Sequence, residues 1–210
     1  MERSGVVAVL IIDDAATAVP LARALLSGGV DAMELTLRTD AAIDALKQIR
    51  EHVPEMLAGI GTVLRPEQVD EIVAAGAQFA VAPGLNPGVI DRAQELGIPF
   101  APGVMTPSEV ETALELGCRE LKFFPAEPAG GLKMLDSLRA PYAHLGVRFI
   151  PLGGINAANM SDWLRNPGVF TVGGSWLTPR DAIRSQDWSA ISRNAAEARA
   201  IADDVASASS

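Results

Sequence analysis

Short runs of β-branched and aliphatic residues alternate eight times with segments of helical spacing along this chain. Few polar residues interrupt the runs, which is typical of parallel strands that helices cover on both faces. The alternation therefore predicts an α/β fold built on parallel strands. The predicted strands are Val6–Ile12, Met33–Leu37, Leu57–Val63, Phe79–Ala82, Phe100–Val104, Leu121–Phe124, Arg148–Leu152 and Phe170–Val172.

Each predicted strand is followed by a segment with the signals of a helix. Asp40 is expected to cap the second helix through its side chain. Thr106-Pro107-Ser108-Glu109 combines a hydroxyl cap, a proline in the first turn and an early acid, which together indicate a helix start. Glycine or proline follows most of the segments and predicts their ends. The predicted helices cover Thr17–Ser27, Ala41–Val53, Pro66–Ala75, 87–96, 106–116, Leu132–Leu145, Ala157–Arg165 and about Arg180–Val205.

Eight βα units in 210 residues match the lower size limit of a closed (β/α)8 TIM barrel, here with an extra C-terminal helix. The expectation is one domain over residues 1–210, with 203–210 as a frayed end. An open doubly wound sheet is the alternative. That fold usually carries a glycine-rich turn after its first strand. This chain has Asp13-Asp14-Ala15-Ala16 there, which favours the barrel.

Composition narrows the class of protein and its partners. The net charge of −9 argues against a nucleic-acid partner, which requires a basic face. Cys118 is the single cysteine, so no disulfide forms within the chain, as suits a reducing cytosol. The sequence shows no signal peptide and no apolar run of the roughly 20 residues that cross a bilayer. The protein is therefore expected to be cytoplasmic, with no membrane partner.

Lys122 lies within the apolar stretch Glu120–Glu127, in a chain that has only three lysines. Lys47 and Lys133 fall in polar helical segments, where lysine is ordinary. Burying an ammonium group is costly unless it is paired or loses its proton. From this stretch alone, two interpretations stay open: a strand-end lysine that reaches water, and a catalytic amine.

Side-chain alternation places a set of polar groups on one face of the second and sixth strands. Glu34, Thr36 and Arg38 are expected to face the barrel lumen, while Met33, Leu35 and Leu37 face the helices. On the sixth strand Lys122 and Phe124 share the inward face. The structural alternative for Glu34 is an ion pair with Arg38 or Lys122 that has no chemical role.

Paired glycines follow the last two strands, where TIM barrels commonly bind phosphate. They are Gly153-Gly154 and Gly173-Gly174, and Ser175 adds a hydroxyl donor. Glycine lets backbone N–H groups approach an oxyanion closely, although a single pair is more often only a tight turn. Thr62 and Pro83 end two further strands, and Thr62 offers a hydroxyl to the same site.

A buried lysine, a carboxylate and an arginine at one end of a barrel suggest Schiff-base chemistry. Burial and the Arg38 cation favour the neutral amine that attacks a carbonyl, whereas the Glu34 carboxylate favours the ammonium form. Glu34 is then the candidate proton shuttle, and Arg38 suits a substrate carboxylate.

Other chemistries lack their residues. His52 and His144 lie near helix ends and are expected at the surface, and no His/Cys/carboxylate cluster has metal-ligand spacing. No nucleophile elbow, P-loop or dinucleotide fingerprint is present. Asp13 and Asp14 are most simply a helix-start pair, although Asp13 could face the pocket.

Four motifs in this order resemble the 2-keto-3-deoxy-6-phosphogluconate (KDPG) and 4-hydroxy-2-oxoglutarate (KHG) aldolases. The resemblance extends from about Val6 to Ala202. It implies a class I, Schiff-base aldolase on a (β/α)8 barrel, usually a homotrimer, without metal or other cofactor. The motifs are Glu34-Leu35-Thr36-Leu37-Arg38-Thr39, Gly61-Thr62-Val63-Leu64, Lys122-Phe123-Phe124-Pro125-Ala126-Glu127 and Gly173-Gly174-Ser175-Trp176.

The resemblance also implies roles for individual positions. Lys122 corresponds to the Schiff-base lysine and Glu34 to the acid/base residue. Other matched positions would contact the substrate. They are Arg38, Thr62 and Pro83 at the pyruvate part, Phe124 beside the lysine, and Gly153, Gly154, Gly173, Gly174 and Ser175 at the phosphate end.

Two positions depart from the family pattern. Leu152 stands where the family usually has threonine, and relatives that act on the 6-phosphogalactonate epimer tend to carry an apolar residue there. Leucine cannot hydrogen-bond a hydroxyl, so a relaxed or altered C4 preference is expected. Ile60 replaces a smaller residue and is expected to narrow the pocket floor.

Two rival functions are also compatible with these residues. A phosphosugar isomerase or epimerase on the same barrel would use Glu34 for proton transfer and Lys122 only as a charge. A phospho-ligand sensor would keep the pocket without catalysis.

Overall fold

The computed structural model describes residues 5–208, and within them parallel strands alternate with helices. The α/β class predicted from the sequence is confirmed. The strands are β1 (Val6–Leu10), β2 (Ala32–Thr36), β3 (Leu57–Gly61), β4 (Ala80–Val81), β5 (Phe100–Ala101), β6 (Gly103–Val104), β7 (Glu120–Phe123), β8 (Arg148–Pro151) and β9 (Val172–Gly174).

The helices begin and end close to their predicted positions in the first half of the chain. They are α1 (Ala18–Ser27), α2 (Ala42–His52), α3 (Pro66–Ala74), α4 (Pro87–Glu95), α5 (Pro107–Glu115), α6 (Gly131–Arg139), α7 (Met160–Leu164), α8 (Arg180–Arg184) and α9 (Trp188–Ala208). Short 3-10 helices cover Ala15–Thr17, Ala140–Leu145 and Ser175–Leu177.

The strands form two parallel sheets. Six strands lie in the order β5-β4-β3-β2-β1-β9, and three lie in the order β6-β7-β8. Because all their pairings are parallel, the carboxyl ends of the strands in each sheet lie at one edge. Isolated bridges join Phe149 to Val169 and Leu152 to Gly173, next to β8 and β9.

The fifth predicted strand, Phe100–Val104, is interrupted at Pro102. Proline has no N–H to donate to a ladder, so it does not continue a strand in the middle of a sheet. The chain changes partner at this residue, because β5 pairs with β4 whereas β6 pairs with β7. The Pro102 carbonyl still accepts the N–H of Lys122 at 2.9 Å.

Two apolar clusters divide the strand side chains between the two faces of the sheets. The larger cluster packs strand residues such as Val6, Leu35 and Leu121 against the helices. The smaller one brings Val7 and Ala101 of the six-stranded sheet together with Ile150 of the other sheet. The side chains therefore alternate as predicted.

Several predicted boundaries are wrong, and each has a local cause. The sixth helix ends at Arg139 and continues as a 3-10 helix, since Pro141 lacks the N–H that an α-helix requires. The terminal helix divides into α8 and α9 at Gln186, which has a φ of 56°. Residues 203–208 belong to α9, and 209–210 lie outside the described residues.

Three further predictions need correction. The helix predicted at Ala157–Arg165 is shorter, because the side chains of Asn156 and Asn159 accept main-chain N–H groups and shape its first residues as a turn. No side chain caps α2, so Asp40 does not have the expected role. The last strand is Val172–Gly174 rather than Phe170–Val172.

The helix start at Thr106 is confirmed. Thr106 and Glu109 form a reciprocal capping box, in which the Thr106 hydroxyl accepts the N–H of Glu109 and the Glu109 carboxylate accepts the N–H of Thr106. Across residues 5–208, none of the helices combines the length and the apolar character that crossing a membrane would require.

Candidate active site

A cavity of about 370 Å³ opens at the carboxyl ends of the strands. Every site residue that the sequence indicated lies in its wall. The structure therefore brings together residues from distant parts of the chain, as side-chain alternation and strand order predicted. They are Glu34, Arg38, Thr62, Pro83, Lys122, Phe124, Leu152, Gly153, Gly154, Gly173, Gly174 and Ser175.

Lys122 and Glu34 form a buried ion pair between the two sheets. Lys122 lies on β7 and Glu34 on β2, and the Lys122 Nζ donates to Glu34 Oε1 at 3.3 Å. Their side chains are 7% and 3% exposed, so the interpretation of Lys122 as a lysine that reaches bulk water is wrong. The Lys122 Nζ also lies 5.5 Å from the centre of the Phe124 ring, within the range of a cation–π contact. A carbonyl carbon in the cavity would meet an amine and a carboxylate together.

Glycines on β3 make room beside this pair. Gly59 lies opposite Glu34 in the sheet register, and a Cβ atom there would be 2.5 Å from the Phe79 ring. Ile60, between two glycines, points to the larger apolar cluster and does not line the cavity. The expectation that Ile60 narrows the pocket floor is therefore wrong, because the strand turns its side chain to the opposite face.

Arg38 and Thr62 lie on the side of the cavity formed by β2 and β3. The Arg38 side chain is exposed and makes no ion pair with another residue of the described range 5–208. It is thus available to an anionic ligand. Thr62 has a φ of 64°, a backbone conformation that β-branched residues rarely adopt and that costs about 1–3 kcal/mol. Such strain often occurs at functional sites.

The loop after β8 presents unpaired backbone donors to the cavity. Gly153 and Gly154 have φ values of 96° and 88°, which favour glycine at both positions. Neither N–H makes a hydrogen bond of normal geometry to another residue between 5 and 208, and that of Gly153 takes part only in the weak bridge between Leu152 and Gly173. The two glycines therefore make a tight turn and also leave donors free for an oxyanion.

Glu127 holds this loop in place. Its N–H donates to the Gly153 carbonyl at 2.9 Å, and its carboxylate accepts the Trp163 Nε1–H at 2.8 Å and an Asn159 Nδ2–H at 3.2 Å. A Cβ atom on Gly154 would lie 2.6 Å from the Glu127 Cβ. The same short motif thus supplies the lysine and the support of the neighbouring loop.

The loop after β9 forms the adjacent wall. A Cβ atom on Gly174 would lie 2.1 Å from the Trp176 ring, so the ring can pack there only against glycine. Ser175 is exposed, and its hydroxyl bonds to no other residue between 5 and 208. Leu152 is 4% exposed and packs beside Gly173, which makes this part of the wall apolar.

Further residues line the cavity without having been named as site residues. Two of them are threonines whose hydroxyl groups donate to main-chain carbonyls. Thr36 donates to the Leu10 carbonyl at 3.1 Å, and Thr178 donates to the Val9 carbonyl at 3.3 Å. Their signal in the sequence was weak, since alternation gave only the direction of Thr36. The others are Val9, Leu10, Ile11, Ile155, Pro179 and Arg180.

Arg180 is joined to Asp13, which lies beyond β1. Its Nε and Nη2 donate to the two Asp13 oxygens at 2.9 and 2.5 Å, and the Arg184 Nε donates to the same carboxylate at 2.9 Å. The pKa of Asp13 is lowered from 3.8 to about 2, and hydrogen bonding to Arg180 is the largest cause. Desolvation opposes it, whereas hydrogen bonding to Arg184 and the charges of both arginines add to the lowering. Asp14 accepts the N–H of Ala16, so only one of the two aspartates serves as a helix start.

The residues of alternative chemistries lie away from the cavity. His52 and His144 are exposed, as predicted. Burial raises the pKa of the Cys118 thiol, which disfavours the reactive thiolate. Over the described residues, no three or more His, Cys, Asp or Glu side chains are grouped so that they could hold a metal ion.

The sequence profile of the family described as KDPG and KHG aldolase matches residues 1–194. The chain belongs to this family. It is an aldolase, and therefore a lyase.

Individual relatives of the aldolase cover nearly its whole length. It is 46% identical to the KHG/KDPG aldolase of Escherichia coli K12 over 193 residues, which are 92% of this chain and 90% of the relative. A KDPG aldolase structure from Legionella pneumophila has a TM-score of 0.88 and 41% identity, and covers 92% of this chain and 93% of its own. That crystal holds pyruvate captured at low pH as a covalent carbinolamine intermediate.

A third relative carries a phosphorylated ligand. The KDPG aldolase of Zymomonas mobilis ZM4 was solved with 3-phosphoglycerate. Its TM-score is 0.88 with 39% identity, and the match covers 94% of this chain and 92% of that one.

Proposed function

We propose that this aldolase cleaves KDPG, or its 6-phosphogalactonate epimer, reversibly to pyruvate and glyceraldehyde 3-phosphate through a Schiff base on Lys122. The observation that carries the proposal is the buried Lys122–Glu34 pair facing the cavity, with 3.3 Å between Nζ and Oε1. The family and the covalent pyruvate adduct of the Legionella relative support it. KHG, which would yield pyruvate and glyoxylate, is the second expected substrate.

The first half of the reaction joins substrate to enzyme. The neutral Lys122 amine attacks the C2 carbonyl carbon, and the carbonyl oxygen takes up a proton to give a carbinolamine. Glu34 lies within hydrogen-bonding distance of Nζ and can move this proton directly or through one water. Loss of the hydroxyl group as water then leaves an iminium ion at C2.

The second half breaks the C3–C4 bond. Glu34 takes the proton of the C4 hydroxyl, the C3–C4 electron pair flows into the iminium, and the aldehyde leaves. The product on the enzyme is the pyruvyl enamine, which is protonated at C3. Water then adds to the resulting iminium and releases pyruvate and the free Lys122 amine.

The remaining wall residues bind the two ends of the substrate. Arg38 suits the carboxylate because it offers an unpaired guanidinium, and Thr62 and Pro83 lie on the same side. Phe124 covers the amine. The N–H groups of Gly153 and Gly154, with Gly173, Gly174 and the Ser175 hydroxyl, form the end that takes the phosphate, and Leu152 borders it.

We also infer that the two sheets close into one eight-stranded (β/α)8 barrel, and that the chain is a single domain. Strands β5 and β6, which are edge strands of the two sheets, follow each other directly on either side of Pro102. At the opposite edges, isolated bridges join β8 to the segment that contains β9. The smaller apolar cluster, with residues of both sheets, would fill the lumen. A homotrimer in the cytoplasm is the expected assembly and location, by likeness to the family.

Borohydride reduction in the presence of pyruvate tests this function. The expected result is one covalent pyruvyl adduct that maps to Lys122. Lys122→Arg keeps the charge and should abolish both the adduct and aldol cleavage. Lys47→Arg and Lys133→Arg are matched controls, since they alter the other two lysines of the chain and should leave the adduct intact.

The same experiment separates the rival functions. An isomerase or epimerase that needs only charge at this position would turn over in the Lys122→Arg variant and form no adduct. A phospho-ligand sensor would bind phosphorylated acids without cleaving them. Absence of the pyruvyl adduct in the unmodified protein would refute the Schiff-base mechanism.

A further inference from the structure

We propose that Arg180 binds the phosphate of the substrate and that Asp13 is the residue that positions Arg180. The inference rests on the proposed function, because it assumes a phosphorylated 2-oxo acid in the cavity. The glycine loops and Ser175 offer the phosphate only neutral donors. Arg180 would add the charge that this end of the cavity otherwise lacks.

The charges around the cavity leave one cation free for the phosphate end. Glu34, Arg38, Lys122 and Arg180 are the charged side chains of the wall in the described structure. Lys122 and Glu34 compensate each other, and Arg38 is suited to the substrate carboxylate. A phosphate monoester carries about −1.5 to −2 charges at neutral pH and needs a local cation in a chain of net charge −9.

The order of the strands places Arg180 on the correct side. Arg38 and Thr62 follow β2 and β3, on one side of β1. Ser175 follows β9, on the other side of β1, and Gly153 follows β8, which is bridged to β9 through Leu152 and Gly173. Arg180 comes five residues after Ser175 and contacts Asp13 beyond β1. The arginine therefore lies with the glycine loops and away from Arg38.

The Arg180–Asp13 contact leaves half of the guanidinium open. Asp13 accepts from Nε and Nη2, which uses two of the five N–H groups of an arginine. No other residue in the described range accepts from Arg180. The Nη1 group and the second Nη2 hydrogen are thus available for a bidentate contact with phosphate oxygens, the geometry that arginine favours.

Asp13 fixes the arginine without cancelling the local positive charge. It binds Arg184 as well as Arg180, so the hydrogen-bonded group of one carboxylate and two guanidiniums carries a net charge of +1. Arg184 does not line the cavity. Because the pKa of Asp13 is lowered to about 2, this carboxylate is ionised at neutral pH.

Calorimetric titration with 3-phosphoglycerate tests the role of Arg180 without relying on turnover. Arg180→Ala should weaken binding about tenfold to hundredfold, as expected for a charge-assisted hydrogen bond to phosphate, and Arg180→Lys should fall between the two. Arg184→Ala is the matched control, because it removes the same charge from the Asp13 group but no side chain of the cavity wall, and it should weaken binding several-fold less than Arg180→Ala. Equal losses in the two variants would show a general effect of charge and overturn the proposal, as would an unchanged affinity in Arg180→Ala.

Substrate kinetics and pyruvate trapping separate this inference from the proposed function. Arg180→Ala should raise the KM for KDPG, leave the KM for the non-phosphorylated KHG within about threefold, and leave the pyruvyl adduct on Lys122 unchanged. A normal adduct together with an unaltered KM for KDPG would reject the role of Arg180 alone. Absence of the adduct in the unmodified protein would reject the Schiff-base function, while the calorimetric result would still decide the phosphate contact.

The sign of the Asp13→Ala effect tests its positioning role. Loss of the carboxylate adds positive charge near the phosphate, so a purely electrostatic role predicts tighter binding. A positioning role predicts that Asp13→Ala weakens binding about threefold to tenfold, because Arg180 is misplaced. It also predicts that adding Asp13→Ala to Arg180→Ala causes no further loss of affinity. Tighter binding in Asp13→Ala, or additive losses in the double variant, would contradict the assignment.

Discussion

A Cβ atom on Gly61 would lie 1.7 Å from Oε1 of Glu34. The carboxylate that contacts Lys122 therefore occupies the space that any other residue at position 61 would fill. Gly61 ends β3, and its carbonyl accepts the N–H of Leu37 at 2.9 Å, so the strand cannot move away without losing that bond. The glycine at position 61 of the neighbouring strand therefore determines where the carboxylate of the proposed acid/base residue can lie.

Gly61→Ala should disable catalysis while leaving the fold intact. The added methyl group displaces Glu34 from Lys122, and loss of a positioned acid/base group costs about 10²–10⁴ in rate. The expected result is a fall of that size in kcat, with slower formation of the pyruvyl adduct. Gly84→Ala is the control, because a Cβ atom on Gly84 meets nothing within 4 Å. Equal kcat values for the two variants would disprove this account of Glu34.

Leu152→Thr should change the preference between the C4 epimers. Leu152 is buried beside Gly173 and offers no hydrogen bond to the substrate. Threonine supplies one hydroxyl, and a single neutral hydrogen bond is worth about 1 kcal/mol, or roughly fivefold in specificity. We expect a weak preference in the unmodified enzyme and a shift of the kcat/KM ratio towards the gluconate epimer in the variant. A strong gluconate preference that Leu152→Thr leaves unaltered would contradict this prediction.

Glu127→Ala should loosen the loop after β8. The variant removes the acceptor of the Trp163 Nε1–H, and leaving such a donor without its partner costs about 1–3 kcal/mol in the free energy of unfolding. The KM for KDPG should rise because Asn159, whose amide also donates to the Gly154 carbonyl at 3.1 Å, loses its Glu127 partner. The pyruvyl adduct on Lys122 should form normally. Glu51→Ala, which removes an exposed carboxylate from α2, serves as the control in denaturant titrations.

Acid should weaken the fold partly through Asp13. The pKa of this carboxyl is about 2 in the folded protein against its ordinary value of 3.8, because Arg180 and Arg184 donate to it. A lowered pKa contributes stability that is complete above pH 3.8 and is lost as the pH falls through about 2. Asp13→Asn lacks this contribution. The difference in unfolding free energy between the two proteins should therefore shrink between pH 4 and 2, and a constant difference would count against the pairing.

Periodicity was sufficient to predict the inner face of the site. Alternation along β2 and β7 directed Glu34 and Lys122 to the same space, because the period of a strand fixes the direction of each side chain. The glycine pairs were predicted from a different local signal, namely their position directly after the last two strands. These features depend only on neighbouring positions in the chain, so the order of residues is enough to predict them.

The Asp13–Arg180 contact had no such signal. The two residues are 167 positions apart, and nothing in either segment identifies the other as its partner. Asp13 resembled one half of a helix-start pair, and Arg180 resembled an ordinary first residue of a helix. The break between α8 and α9 at Gln186 is similar, since a left-handed backbone at glutamine is imposed by its surroundings and not by its own preference.

The proposed catalytic pair and the Asp13–Arg180 pair lie on different segments of the chain. Lys122 and Glu34 lie on internal strands, whereas Asp13 follows the first strand and Arg180 follows the last. On the proposed roles, substitutions at Asp13 and Arg180, in the two outermost βα units, should alter which aldehyde is released without changing Lys122 or Glu34. A lineage can diverge in substrate while it inherits its chemistry unchanged, and laboratory evolution of new aldol acceptors should begin at these two positions.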